Sequence, residues 1–220
     1  MTRVGLCEDD PAIRRIVVEA LALSGHEAVV AHTGAEALRR FGPEVDLDVI
    51  VLDVGLPDAD GRDVCQAVRS AGQTAPVIFL TAYGGIHDRL AGFSAGGDDY
   101  LAKPFDVKEL IARIKALARR RQPSHPPVDG LLLDPVTHAI TANGLQVRLT
   151  PTEFRMLAAL TSRPGEVVRR HAVVAAAWPD GAQVSENTVD SYIRRLRLKL
   201  AQARSTAVLE TVRGVGFILR

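Results

Sequence analysis

Short apolar runs punctuate the first half of the chain: RVGLC at residues 3 to 7, EAVVA at 27 to 31, DVIVL at 48 to 52, PVIFL at 76 to 80 and DYLA at 99 to 102. Their length and β-branched content predict buried strands. Between them lie segments with helical spacing. Residues 11 to 23 carry Ile13, Ile16, Val17, Ala20 and Leu21, and residues 106 to 118 carry Leu110, Ile111, Ile114 and Leu117. Five strands alternating with five helices predict an α/β, doubly wound parallel sheet that closes near residue 120. RRRQPSHPP, residues 119 to 127, can neither extend a helix nor join a core, and reads as a linker.

The second half has a different pattern. Short strand candidates near 131 to 133, 138 to 141 and 145 to 149 precede helical patterns at 151 to 161, 169 to 177 and 186 to 202. A terminal hairpin, VLETVRGVGFILR, turns around Gly214 and Gly216. No internal repeat is present.

Charge separates the same two halves. Residues 1 to 118 hold 12 Lys and Arg against 18 Asp and Glu, whereas residues 122 to 220 hold 12 against 8. The basic half invites nucleic acid, although this excess alone is weak support. No apolar run approaches the ~18 to 20 residues that cross a bilayer, and no signal-peptide pattern opens the chain, so a cytoplasmic protein is expected. Cys7 and Cys65 form no metal-ligand spacing and read as buried, reduced thiols.

The chemistry gathers at the carboxyl ends of the predicted strands, where open parallel sheets place their sites. The first strand ends in Glu8, Asp9 and Asp10, the third in Asp53, the fourth in Thr81, and the fifth leads to Lys103 and Pro104. Carboxylates meeting at one edge suit a hard divalent cation such as Mg²⁺. A lysine and a hydroxyl beside them could hold phosphoryl oxygens, making Asp53 a candidate nucleophile that forms an acyl phosphate. Read singly, Asp53 suits a turn or cap, EDD a cap before Pro11, and Thr81 a strand filler.

The ordered set CEDDPAIRR, VIVLDVGLPDADG, FLTAY and GGDDYLAKPF resembles the CheY-like receiver domain of bacterial response regulators. The resemblance implies a flavodoxin-like strand order with Asp53 as phosphoacceptor and a Mg²⁺ site made by Glu8, Asp9, Asp53 and the Gly55 carbonyl. It makes Thr81 and Lys103 the phosphate-sensing pair, Tyr100 the switch aromatic, and Lys103-Pro104 a cis peptide. Haloacid-dehalogenase-type phosphatases also use a strand-end aspartate, but they place a second carboxylate two residues on, where this chain has Gly55. GGDDY is too short for the cyclase motif GGDEF that it superficially matches. Two departures, Gly84-Gly85 after Tyr83 and GGDDY in place of GADDY, bear on the stiffness of the switch region.

In the basic half, SENTVDSYIRRLRLKLA puts Val189, Ile193, Leu196 and Leu200 on one inward stripe. Thr188, Ser191, Tyr192, Arg195 and Lys199 form a polar flank, with Arg194 and Arg197 opposite. Such a helix suits a major groove, though a solvated basic helix fits the pattern equally. Together with LTPTEFRMLAAL and TVRGVGF it resembles the winged helix-turn-helix effector domain, an α+β fold, of the OmpR/PhoB class. The likeness now spans nearly the whole chain: a receiver at 1–120, a linker at 121–128 and a DNA-binding domain at 129–220. It implies that Arg195 and Ser191 read base edges, that Thr188, Tyr192, Arg194, Arg197 and Trp178 hold phosphates, and that Arg213 enters the minor groove as a wing residue. Asp190 would touch a base or pair with Arg194.

The resemblance further implies a transcriptional regulator rather than an enzyme, catalysing only its own phosphoryl transfer and hydrolysis. A sensor histidine kinase would phosphorylate it. A homodimer formed on phosphorylation would bind tandem half-sites in double-stranded promoter DNA and engage RNA polymerase. Arg89, Asp98, Asp99, Glu109 and Arg113 would form the dimer face, pairing Arg89 with Glu109 and Asp99 with Arg113 between copies. The alternative is an atypical regulator whose receiver is a phosphorylation-independent dimerisation module.

Overall fold

The computed structural model describes residues 1–82, 97–118, 130–178 and 184–220. The linker at 121–128, the helix expected between the fourth and fifth strands, Tyr83, Gly84-Gly85 and Arg89 lie outside the described residues.

Five parallel strands, β1 (Arg3–Cys7), β2 (Glu27–Ala31), β3 (Val49–Asp53), β4 (Val77–Thr81) and β5 (Asp99–Ala102), form one sheet in the order β2-β1-β3-β4-β5. β3 and β4 are buried along their whole length. That is why they read as unbroken apolar runs rather than alternations. On one face, α1 (Pro11–Leu23) and α4 (Val107–Leu117) contribute Val17, Leu21, Leu110 and Ile114 to a core with Val4, Leu6, Val51 and Leu80. On the other, α2 (Gly34–Arg40) and α3 (Gly61–Ser70) pack Ala37, Val64, Cys65 and Val68 against Ile50, Leu52 and Phe79. Ile16, one of the apolar residues at helical spacing in α1, is half exposed, because the 3.6-residue period that buries Val17 and Leu21 turns it aside.

Local chemistry places the helix starts. The side chains of Asp10, Thr33, Asp60 and Asp106 accept first-turn N–H groups of α1, α2, α3 and α4. The strand order reverses between β1 and β3, whose carboxyl ends therefore flank the crevice. Lys103-Pro104, just beyond β5, is a cis peptide.

The effector half builds two small sheets, β6-β7-β8 and β10-β11-β9, from β6 (Leu132–Asp134), β7 (Ala139–Ala142), β8 (Leu145–Arg148), β9 (Val167–Arg169), β10 (Leu209–Val212) and β11 (Gly216–Leu219). Among the described residues, three helices accompany them: α5 (Pro151–Thr161), α6 (Arg170–Ala177) and α7 (Glu186–Gln202). α5 opens with a capping box in which Thr150 and Glu153 satisfy each other's backbone N–H. The expected helices over 151–161 and 186–202 have those bounds. β9 has no counterpart among the sequence expectations, and Arg169, assigned there to a helix, ends this strand and caps α6.

Candidate functional site

β3 ends on its charge. Asp53 is its last residue, 5% exposed, beside the buried ends of β1 at Glu8 and of β4 at Thr81. Lys103 Nζ donates to Asp53 Oδ2 at 2.8 Å and to Glu8 Oε1 at 3.0 Å. It also forms an ion pair with Glu8 Oε2 at 2.8 Å. Asp9 is exposed at the rim, and oxygens of Glu8, Asp9 and Asp53 lie within 4.8 Å of one another. Asp10 does not join them, because its carboxylate caps α1. Arg14 Nη1 donates to the carbonyls of Glu8 and Asp9 at 3.0 and 2.9 Å and so holds the acidic loop.

Electrostatics reflect this crowding. Burial pushes the Glu8 carboxyl up to about 7; the Lys103 hydrogen bond opposes the rise and the neighbouring Asp53 charge adds to it. Burial acts to lower Lys103, but its bonds to Asp53 and Glu8 prevail and hold the ammonium above its ordinary range. An all-oxygen donor set of three clustered carboxylates, two of them buried, fits a hard divalent cation. The Gly55 N–H donates to Asp53 Oδ1 at 3.2 Å, placing the Gly55 backbone at the mouth of the same crevice. Burial raises the Cys7 thiol well above its usual range and the Cys65 thiol to about 11, so neither is poised as a thiolate.

Tyr100 stacks on Phe79, with ring centroids 5.2 Å apart. On the expected dimer face, Arg113 Nη1 donates to Asp99 at 2.6 and 2.9 Å and Nη2 donates to Glu109 at 2.7 Å, while Asp98 accepts from Arg69 at 3.0 Å. Asp99, Glu109 and Arg113, expected to pair between copies, are thus paired within one chain, and pairing in trans would require partner exchange.

On α7, the buried stripe is Val189, Ile193, Leu196 and Leu200, as its spacing predicts. Thr188, Ser191, Arg194 and Arg195 are exposed, as is Arg213 at the β10-β11 turn. Arg195 lies 5.2 Å from the Tyr192 ring, which meets Trp178 edge-on at 5.4 Å. Two of these side chains have partners within the chain. Arg197 is committed to the terminal hairpin, donating to the Leu209 carbonyl at 2.7 Å and to Thr211 Oγ1 at 2.8 Å. Asp190 pairs with Arg170 at 2.8 Å rather than with Arg194. Lys199 joins buried Glu153 at 2.6 Å; burial would raise that carboxyl, but the Lys199 and Thr150 bonds bring it below its ordinary range.

Sequence reasoning missed Asp58, which caps the start of α2 through the Gly34 and Ala35 N–H groups. It also missed Asp63, buried on α3 against Arg155 and His138. Neither carries a spacing signal, since both read as polar residues of a turn or a solvated helix face.

Comparison with known proteins agrees with this architecture. Residues 4–115 match the response regulator receiver domain, and residues 144–219 match the C-terminal domain of transcriptional regulatory proteins. The chain is 38% identical to "Response regulator MprA" of Mycobacterium sp. (strain KMS), over 99% of this chain and 97% of that protein. Among solved structures, the Thermotoga maritima OmpR/PhoB homologue DrrB is 30% identical, covers 99% of this chain and 98% of its own, and gives a TM-score of 0.50. The receiver domain of the Francisella response regulator 1452 is 33% identical, covers 56% of this chain and 100% of its own, and gives a TM-score of 0.53. A chain that carries both domain families in this order, and aligns almost end to end with such regulators, belongs with them: it is a two-component response regulator of the OmpR/PhoB class, a phosphorylation-dependent DNA-binding transcriptional regulator.

Proposed function

We propose that Asp53 is the phosphoacceptor and that Glu8, Asp9, Asp53 and the Gly55 carbonyl hold Mg²⁺. The carrying observation is the carboxylate at the end of β3, 2.8 Å from Lys103 Nζ and clustered with Glu8 and Asp9. When bound, the cation neutralises charge on the incoming phosphoryl group. An Asp53 oxygen attacks phosphorus, the bond to the kinase histidine breaks, and an acyl phosphate forms. Lys103, released from Asp53, donates to a phosphoryl oxygen, and the hydroxyl of Thr81, 6% exposed at the end of β4, donates to another. Tyr100 relays the change to the surface.

In this reading the chain acts in the cytoplasm, as a transcription factor whose only catalysis is its own phosphoryl transfer and hydrolysis. Its partners are a sensor histidine kinase, a second copy of itself, tandem half-sites in promoter DNA, and RNA polymerase. Arg195 and Ser191 read bases, Thr188, Tyr192, Arg194, Arg197 and Trp178 hold phosphates, and Arg213 serves the wing. The domain limits are 1–120 and 129–220, joined by 121–128. Incubation with acetyl phosphate and Mg²⁺ should add one phosphoryl mass to the wild type and none to Asp53→Asn. An adduct of equal yield on the variant would reject the assignment.

A further inference from the structure

α3 is a helix with two occupied faces. Val64, Cys65 and Val68 pack toward the sheet. The other side, Asp63, Gln66, Ala67 and Ser70, would be a solvated face in an isolated receiver, yet each is at most 3% exposed. α5 and β6 of the effector half cover it, and Ala67 belongs to the effector's apolar core. Asp63 accepts from Arg155 Nε at 2.8 Å and Nη2 at 3.3 Å, and lies 3.2 Å from His138 Nε2. Ser70 Oγ meets Thr161 Oγ1 at 2.5 Å, seven residues further along the same face.

We propose that this face of α3 is a docking face for the chain's own effector domain, closed by Asp63, Arg155 and His138 as a latch that opens when Asp53 is phosphorylated. The latch touches the phosphorylation loop directly. The Gly61 N–H donates to the Val54 carbonyl at 2.9 Å, Gly55 and Asp60 form a β-bridge, and a Cβ at Gly61 would collide with the Asp53 carbonyl oxygen. Arg155 Nη2 is also 3.6 Å from Asp60, the cap of α3. A phosphoryl group that shifts the loop after Asp53 therefore shifts the first turn of α3, and with it the carboxylates that hold Arg155.

The latch leaves α7 exposed, so it restrains geometry rather than covering the DNA-reading face. A two-fold dimer of rigid, closed chains relates its recognition helices by the same two-fold axis and suits inverted half-sites. Tandem half-sites are related by translation along the duplex. Both can be satisfied together only when the effector domains turn independently of the receivers.

The coupling to Asp53 and the restraint on DNA binding rest on the function proposed above; the contact itself does not. Ser70→Cys with Thr161→Cys, whose replaced hydroxyls touch, provides a reversible lock. In the unphosphorylated full chain it should oxidise to an intramolecular disulfide, whereas neither single variant should. A tandem-site duplex selected from a random pool by the reduced double variant should bind the oxidised form roughly tenfold or more weakly, with reductant restoring affinity. Treatment with acetyl phosphate and Mg²⁺ should slow disulfide formation several-fold in molecules whose mass shows the adduct. Arg155→Glu, setting like charges against Asp63, should slow it without phosphorylation. No disulfide, or equal DNA binding by locked and reduced chains, would overturn the latch. An unchanged rate in adduct-bearing chains would overturn its coupling, while absence of any adduct counts against the Asp53 assignment alone.

Discussion

Glu8 titrates where few carboxyls do. Its pKa rises from 4.5 to about 7 on folding, so the folded chain binds this proton more tightly than the unfolded chain. The resulting stabilisation is complete below the unfolded value and is lost as pH climbs through the folded one. In chelator-containing buffer, the urea midpoint of the wild type should fall between about pH 5 and about pH 8 by more than that of Glu8→Gln. Mg²⁺ should stabilise the wild type more than the variant at the higher pH. Gly97 offers a second test. A Cβ there would stand 2.5 Å from Phe79 Cε2 and 2.8 Å from the Tyr100 hydroxyl, so glycine at this position of GGDDY makes room for the inward, stacked ring. Gly97→Ala should cost roughly 1 to 3 kcal/mol by overpacking, and Phe79→Leu should cost less in that background than alone. The same glycine departs from the family motif, and its consequence depends on a contact between residues 79 and 97 that no local pattern encodes. Glu8, Asp9, Asp53 and Lys103 were legible because strand ends converge whatever the side chains. Asp63 was not, since a polar residue on a helix looks solvated until another domain lies over it.

Recognition by α7 depends on an element that is itself held in place. Arg170, the first residue of α6, links that helix to α7 through Asp190, and its guanidinium lies 5.0 Å from the Phe217 ring of β11, while Arg197 ties α7 to β10. Arg197→Ala should therefore lower the thermal midpoint and speed amide exchange in β10. Arg195→Ala should leave both unchanged while narrowing the gap between selected and random DNA by roughly 1 to 3 kcal/mol. Titrations at several salt concentrations, paired with melting curves, separate the two effects. Long amphipathic elements such as α7, with its inward residues at 189, 193, 196 and 200, announce themselves through periodicity. β9 could not. Three residues, Val-Val-Arg, hold barely one alternation, and the strand exists because β11 pairs with it across some fifty residues of sequence.

The acidic and basic halves meet through Asp63, Arg155 and His138, with Ala67 set into the effector core. Shared burial of this kind couples unfolding. The full chain should melt as one calorimetric transition, whereas Asp63→Ala should broaden or split it, because Arg155 then loses its buried partner. A single transition of unchanged width in the variant would mean that the halves unfold together for another reason. The arrangement also reaches into sequence evolution. A peripheral helix ordinarily has one face free to drift, as α1 does at half-exposed Ile16 and 90%-exposed Leu23. α3 has almost no such freedom, since all its residues except Arg62 and Arg69 are buried. In a saturation-mutagenesis scan it should tolerate substitution as poorly as the central strand β3. Changes at positions 63, 67 and 70 should persist in descendants chiefly when matched by changes at 138, 155 or 161, making this surface helix one of the slowest-changing parts of the protein.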